Sequence, residues 1–329
     1  MVLALAMTAA GCTAGWAFDL QAHRGTRGLM PENSLASFAE ALRIGVDTLE
    51  LDIAITRDGV LVISHDPALN PDITRGPDGA FLSGRGPLIS SLSFDELSRY
   101  DVGRIKPASA YARQFPDQKA IDGTRIPRLV DLFELVQRSG NTQVRFAIET
   151  KLSPLAPDET LDVAAYTRAV LATIEAAGMT SRSSLLSFDW RSLQLAQREA
   201  PAIPTVYLSA QNRFLDNIQA GGAAPSPWTA GIAYAAHGSV PRMVKAAGGH
   251  TWSVSGGDLT PSLVAEAKSL GLKVLVWTIN EARPIGYFID MGVDGLVTDR
   301  PDRAREEMKR RGMPLPPQTL LTLLTQGPP

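Results

Sequence analysis

Four short motifs set chemistry-bearing side chains in or at the ends of apolar runs. His23-Arg24-Gly25 closes the run that begins at Leu20, and Glu50-Leu51-Asp52 sits inside Thr48–Ile55. His65 follows Val60-Leu61-Val62-Ile63-Ser64, and Glu149-Thr150-Lys151 ends Phe146-Ala147-Ile148. Side chains alternate along a strand, so Glu50 shares a face with Asp52, and Glu149 shares one with Lys151. Two carboxylates on one face repel unless a cation or a proton lies between them. Hard oxygen ligands suit Ca²⁺ or Mg²⁺. Three carboxylates around one such cation leave a net charge of about −1, which Arg24 and Lys151 offset. That arrangement accepts a phosphate anion: the metal polarises one oxygen while Arg and Lys bind the others. Two imidazoles, His23 and His65, complete the set as general base and general acid. The constellation describes metal-assisted phosphoryl chemistry.

Taken singly, each motif has a plainer reading. A strand-end histidine is commonly structural, Glu-x-Asp can be an exposed strand face, and Glu149-x-Lys151 can be an ion pair of small energetic consequence. Four polar intrusions on apolar strands are hard to attribute to coincidence. His237 and His250, the other two of the four histidines, lack this context and read as structural or surface groups.

These side chains need strands that converge. Apolar runs at Leu20–His23, Thr48–Ile55, Val60–Ser64, Arg145–Glu149, Ser184–Ser187, Thr205–Leu208, Ile232–Ala235, Lys273–Thr278 and Gly295–Thr298 read as strands. Helical patterns separate most of them: Ser34–Ile44, Ala164–Ala177, Leu193–Glu199, Pro261–Leu270 and Ala282–Met291. Asn33 or Ser34 can cap the first helix and Gly45 can end it. Asp58-Gly59 between two apolar runs signals a hairpin. Alternation at this pace implies a parallel sheet with crossover helices. Six to eight units favour an α/β fold of the (β/α)8 TIM-barrel type, in which the C-terminal strand ends build one site. The stretch 66–125 breaks the rhythm with six prolines and no clean unit, and reads as an insertion on the loop face after the second strand. Ser253-Val254-Ser255-Gly256-Gly257 reads as an ordinary turn.

Composition bounds the alternatives. The 329 residues are 44% hydrophobic and 20% charged, which excludes a disordered chain or a coiled coil. At roughly 150 residues per domain the length allows two domains, although α/β barrels exceed that as one. The 32 basic and 34 acidic residues give a net charge of −2, with no basic excess to suggest nucleic acid or an anionic membrane surface. The single cysteine, Cys12, excludes a disulfide framework and a cysteine zinc cluster. No Gly-x-Gly-x-x-Gly follows a strand, and neither a Walker A sequence nor Gly-x-Ser-x-Gly occurs.

Residues 1–17 form a short apolar run rich in small residues, too short to span a bilayer. Gly15-Trp16-Ala17 fits a cleavage site before Phe18, so the leader reads as a signal peptide and the protein as exported, periplasmic or secreted. A lipoprotein site at Ala10-Gly11-Cys12, with Cys12 lipidated, and an ordinary buried N-terminal segment are the rival readings. The expected organisation is a leader at 1–17, one barrel domain at 18–311 and a Pro-rich tail at 312–329.

The same segments resemble the glycerophosphodiester phosphodiesterase family, in its exported bacterial type. The resemblance rests on His23-Arg24-Gly25, Pro31-Glu32-Asn33-Ser34, Glu50-Leu51-Asp52 and Ser64-His65-Asp66. It continues through Glu149-x-Lys151, Val276-Trp277-Thr278-Ile279-Asn280 and Gly292-Val293-Asp294-Gly295-Leu296-Val297-Thr298-Asp299. It spans residues 19 to about 302 in matching order and spacing. It implies a (β/α)8 barrel with a segment inserted after the second catalytic histidine. The implied reaction is hydrolysis of a glycerophosphodiester to an alcohol and glycerol 3-phosphate. It further implies His23 and His65 as the acid–base pair, and Glu50, Asp52 and Glu149 as ligands of one Ca²⁺ or Mg²⁺. Arg24 and Lys151 would bind phosphate, with Trp277 against the glycerol portion. Thr26 and Ser34 depart from the usual pattern, but Ser caps a helix as Thr does. The same barrel acting on another phosphodiester, such as a lysophospholipase D or a phosphoinositide-directed enzyme, is the nearest alternative. A non-catalytic phosphodiester-binding protein is the alternative outside enzymes. The expected partner is a small-molecule substrate, with no nucleic acid and no stable membrane span. The leaving alcohol, the acid–base order of the histidines and the oligomeric state stay open at the level of sequence.

Overall fold

A computed structural model of the chain describes residues 18–319. The leader, with Ala17 and Cys12, lies outside the described residues. Nine strands form one sheet: β1 (Asp19–Ala22), β2 (Thr48–Ile55), β3 (Leu61–Ile63), β4 (Arg145–Thr150), β5 (Ser183–Ser187), β6 (Thr205–Ser209), β7 (Thr251–Ser255), β8 (Lys273–Trp277) and β9 (Gly295–Thr298). All except β3 run parallel, in the order β1-β9-β8-β7-β6-β5-β4-β2. Gln21 and Ala22 of β1 pair with Thr48 and Leu49 of β2, which closes the barrel. Eleven helices among the described residues are α1 (Leu35–Ile44), α2 (Phe94–Leu97), α3 (Ala110–Gln114), α4 (Leu129–Arg138), α5 (Val163–Ala176), α6 (Trp190–Glu199), α7 (Tyr234–His237), α8 (Val240–Ala246), α9 (Pro261–Ser269), α10 (Ala282–Met291) and α11 (Pro301–Arg310). This is the TIM barrel that the alternation implied.

The alternation along β2 does the positioning. Leu49, Leu51 and Ile53 are fully buried on the helix-facing side. Glu50 and Asp52 take the opposite side, inside the barrel, where they are only 3% and 1% exposed. Beside them the interior holds an apolar cluster of Ala147, Leu186, Val206, Leu208 and Leu275, with Phe188 and Trp277 above.

The hairpin at Asp58-Gly59 forms, with Gly59 at φ +81° and the Thr56 carbonyl accepting from its N–H at 3.0 Å. Its consequence differs from a barrel strand. β3 is antiparallel to β2, with Ile53 opposite Ile63 and Ile55 opposite Leu61. The chain therefore rises along β2 and returns, so that the Ser64 N–H donates to the Asp52 carbonyl at 2.9 Å and His65 comes back beside that carboxylate.

The expected strand at Ile232–Ala235 does not form; its last residues enter α7. The sixth barrel strand is instead Thr251–Ser255, which overlaps the expected turn. There Trp252 and Val254 pack into the helix-facing core while Ser253 faces the barrel interior. A strand with one apolar face and one small-residue face resembles a turn in composition. The insertion carries its own core, with Leu69, Ile89, Leu97, Val102 and Ile126 packed on Ala54 and Val62 of the hairpin. The described part of the tail is docked: Thr319 donates to the Leu42 carbonyl at 2.9 Å, and Arg305 to the Pro316 carbonyl at 2.6 Å. Among the described residues no helix is long and apolar enough to cross a membrane.

Barrel closure depends on close approach at Gly295, where a Cβ would lie 2.4 Å from the Asp19 carbonyl oxygen. Gly295→Ala is expected to force β1 from β9 and to cost about 1–3 kcal/mol, as overpacked sites do. Thermal unfolding checks this; an unchanged melting temperature would show that the closing seam is slack.

Candidate active site

β1 ends at Ala22 and the next residues turn sharply, with Arg24 at φ +50° and Gly25 at φ +80°. A Cβ on Gly25 would meet the Ser37 side chain at 2.5 Å, so this turn can sit tightly on α1 only with glycine. Ser34 caps α1 as expected, its hydroxyl accepting from the Ser37 N–H at 3.1 Å. The turn brings the Arg24 N–H to the Glu50 carboxylate at 2.9 Å.

All eight residues singled out in the sequence converge at the C-terminal mouth of the barrel. His23, Arg24, Glu50, His65, Glu149, Lys151 and Trp277 line a cavity of about 220 Å³, and Asp52 lies buried beneath it. One side of the cavity is charged. The other, formed by Leu186, Phe188, Leu208 and Trp277, is apolar. Ring centroids of Phe188 and Trp277 meet edge-to-face at 5.5 Å. His237 and His250 stand outside the cavity, as expected.

Glu50, Asp52 and Glu149 each offer an oxygen within 4.8 Å of the others. Burial pushes the Glu50 carboxyl well above the usual carboxylate range, and the charges of Asp52 and Glu149 add to the effect. Glu149 is also raised, by burial against the opposing pull of Lys151. Asp52 is shifted down: burial opposes ionisation there, but Arg24, His65 and Lys151 outweigh it. Arg24 Nε stands 3.3 Å from one Asp52 oxygen and Lys151 Nζ 3.5 Å from the other. The latter oxygen, Oδ1, accepts no hydrogen bond. Three buried carboxylates with unspent acceptor capacity fit a hard divalent cation.

The two histidines are held differently. His23 Nδ1 is 2.7 Å from Asp299, and its Nε2 points toward Glu50 at 3.9 Å. Burial and then Arg27 pull the His23 ring down to about 4, against the raising effect of Asp299. The ring is thus neutral at neutral pH, with Nδ1 the donor to Asp299 and Nε2 the free base. His65 is more open, with Nδ1 2.7 Å from Asp66. Asp66 is lowered to about 2: burial works against this, but the hydrogen bond from His65 and its charge prevail.

Several residues of the site were given no catalytic, binding or metal role from the sequence. Asp299 accepts from Arg27 Nε at 2.7 Å and Nη2 at 3.0 Å, and from Asn280 Nδ2 at 2.6 Å. Glu32 accepts from Arg24 Nη1 at 2.7 Å, and Asn33 donates to Asp52 at 3.0 Å. Asp299 ends the apolar run Leu296-Val297-Thr298, the same signal that exposed Glu149. Glu32 and Asn33 sit in a loop, where no periodicity marks a partner.

Residues 23–303 match the glycerophosphoryl diester phosphodiesterase family. The chain belongs to that family. A glycerophosphodiester phosphodiesterase of Caldanaerobacter subterraneus subsp. tengcongensis is 26% identical over 88% of this chain and 98% of its own. A Silicibacter pomeroyi DSS-3 crystal structure assigned to the glycerophosphoryl diester phosphodiesterases is 36% identical. It covers 90% of this chain and 95% of its own, with a TM-score of 0.80. An Oleispira antarctica phosphodiesterase solved with its product sn-glycerol 3-phosphate shares the fold at 23% identity and a TM-score of 0.63, over 88% and 96% of the two chains. Family membership makes the chain a phosphoric diester hydrolase by descent, and its acidic trio has the spacing to hold one metal ion.

The raised Glu50 carboxyl makes metal binding visible in stability. A carboxyl whose folded pKa exceeds its unfolded one stabilises below the ordinary carboxylate range, and that stability fades as pH rises through the folded value. Asp299 has the opposite sign and weakens the fold only in acid. Metal-stripped protein is therefore expected to lose melting temperature above about pH 6.5, where the opposing gain from His23 is complete, and an added divalent cation to restore more at pH 8 than at pH 5. Differential scanning fluorimetry at both pH values checks this; a shift of equal size at both would sink it.

Proposed function

We propose that the protein hydrolyses glycerophosphodiesters to an alcohol and glycerol 3-phosphate, with one divalent cation, Ca²⁺ or Mg²⁺, held by Glu50, Asp52 and Glu149. The observation that carries this reading is the buried carboxylate trio at the floor of one cavity lined by Arg24, Arg27, Lys151 and both imidazoles. The names of the curated relatives support the substrate class. When bound, the cation supplies Lewis-acid polarisation of a phosphate oxygen.

The chain's own residues supply the rest. Arg24 and Lys151, already turned to Asp52, offer their remaining N–H groups to the phosphate oxygens. Neutral His23, fixed by Asp299 through Nδ1, takes a proton at Nε2 from the glycerol 2-hydroxyl as that oxygen bonds to phosphorus and the bond to the alcohol breaks. His65, fixed by Asp66 through Nδ1, gives a proton to the departing alcohol oxygen. Water then opens the cyclic phosphate to glycerol 3-phosphate. The Trp277 and Phe188 wall packs the carbon skeleton of the glycerol portion and keeps water from that side. The protein is, in this reading, exported: the small-residue leader with Ala17 at its end supports a cleaved signal, with lipidation at Cys12 as the other form.

The test is turnover of a panel containing glycerophosphocholine, glycerophosphoethanolamine, glycerophosphoinositol and a lysophospholipid. Ca²⁺, Mg²⁺ and Mn²⁺ are each added back after chelation. Activity is expected on the glycerophosphodiesters, lost on chelation. His23→Ala and His65→Ala should each lower kcat by about 10²–10⁴-fold. Full rates in either variant at saturating metal would remove that histidine from the mechanism. Tight diester binding with no turnover under any cation would favour a binding protein.

A further inference from the structure

The insertion sends one short segment back over the loops that carry the site. Residues 109–119 begin at Ser109, which caps α3 by accepting from the Ala112 N–H at 3.0 Å. The segment is fastened at its far end: Gln118 Nε2 donates to the Arg27 carbonyl at 2.7 Å, and the Lys119 N–H to the Leu29 carbonyl at 2.8 Å. Asp117 also accepts from Arg300 at 2.7 Å. Between these anchors stand two aromatic residues that do not line the cavity, Tyr111 and Phe115, in edge-to-face contact at 4.9 Å.

Tyr111 touches two arms of the machinery, Glu32 and, through its hydroxyl accepting from Arg27 Nη1 at 3.5 Å, Arg27, while Phe115 touches the second. The Tyr111 hydroxyl donates to Glu32 Oε2, while Glu32 Oε1 accepts from Arg24 Nη1 at 2.7 Å. Glu32 is only 8% exposed, so a lost partner there is not replaced freely by solvent. The Phe115 ring lies 4.6 Å from the Arg27 guanidinium carbon. Arg27 holds both Asp299 oxygens, and Asp299 holds His23 Nδ1. Stacking fixes the guanidinium plane, and a fixed plane fixes the bidentate pair.

We propose that Tyr111 and Phe115 are positioning residues for the reaction: Tyr111 chiefly through Glu32, to which its hydroxyl donates, on the phosphate-binding Arg24, and Phe115 through Arg27 and Asp299 on His23. The inference rests on the phosphodiesterase reading above and adds the insertion to it. The Tyr111 arm sets how firmly the phosphate is held. The Phe115 arm sets how well the base is aimed.

The experiment compares Tyr111→Phe, Phe115→Leu and Phe115→Trp with a control on the same helix, Arg113→Ala, whose side chain reaches only the Ala108 carbonyl. It measures kcat, KM, inorganic phosphate affinity by calorimetry and melting temperature, all at saturating cation. Tyr111→Phe is expected to raise KM and weaken phosphate binding about three- to tenfold, with kcat within about twofold of the parent. Phe115→Leu is expected to lower kcat about three- to tenfold with KM nearly unchanged, and Phe115→Trp to restore it. Unchanged parameters in both variants overturn the inference. So does a joint decline of kcat and phosphate affinity that tracks melting temperature and appears equally in Arg113→Ala. If the parent turns over no diester, the functional reading fails on its own, and phosphate binding by Tyr111→Phe still decides the Tyr111 arm.

Discussion

The mutual repulsion of three buried carboxylates is the constraint around which this barrel mouth is organised. Glu50, Asp52 and Glu149 come from two adjacent strands in register, Asp52 opposite Glu149, so the sheet itself forces them together. A fold can tolerate such a cluster only with countercharge, a proton or a metal. The surroundings supply the first of these. Arg24 and Lys151 bracket Asp52, the Arg24 N–H caps Glu50, and Lys151 donates to Glu149 at 2.7 Å. What remains unbalanced, a raised Glu50 and an Asp52 oxygen that accepts no hydrogen bond, is the part suited to a divalent cation.

Around that centre the polar groups form chains that end on rigid elements. His23 is oriented by Asp299, Asp299 by Arg27 and Asn280, and Arg24 by Glu32. A buried imidazole whose one nitrogen is committed keeps the other available in a fixed direction, as base catalysis requires. The opposite wall has no charges and few polar groups, so the cavity divides into a half that handles phosphate and a half that handles carbon.

The insertion belongs to this arrangement rather than to a separate body. Its small core grows from the β2–β3 hairpin, and the hairpin returns His65 to Asp52. The same excursion carries Tyr111 and Phe115 back to the loops after β1. One detour of the chain thus delivers a catalytic candidate at its start and supports two others near its end.

Much of this was legible in the sequence, because period-two alternation in an apolar run tells which side chains share a face. That rule alone put Glu50 with Asp52 on one side and Leu49, Leu51 and Ile53 on the other. Counting strands between helical patterns gave the barrel, and the barrel implied a common mouth. The rule failed where a strand carries small residues, as at Thr251–Ser255, and where an apolar run lacks a neighbour to pair with, as at Ile232–Ala235. Tertiary structure alone decided the partners. Asp299 lies 276 positions from His23, and Tyr111 lies 79 from Glu32. Local pattern carries no information across such separations. Side-chain direction along one strand is set by the backbone of that strand, whereas the partner each side chain meets is set by how the closed barrel brings distant loops together.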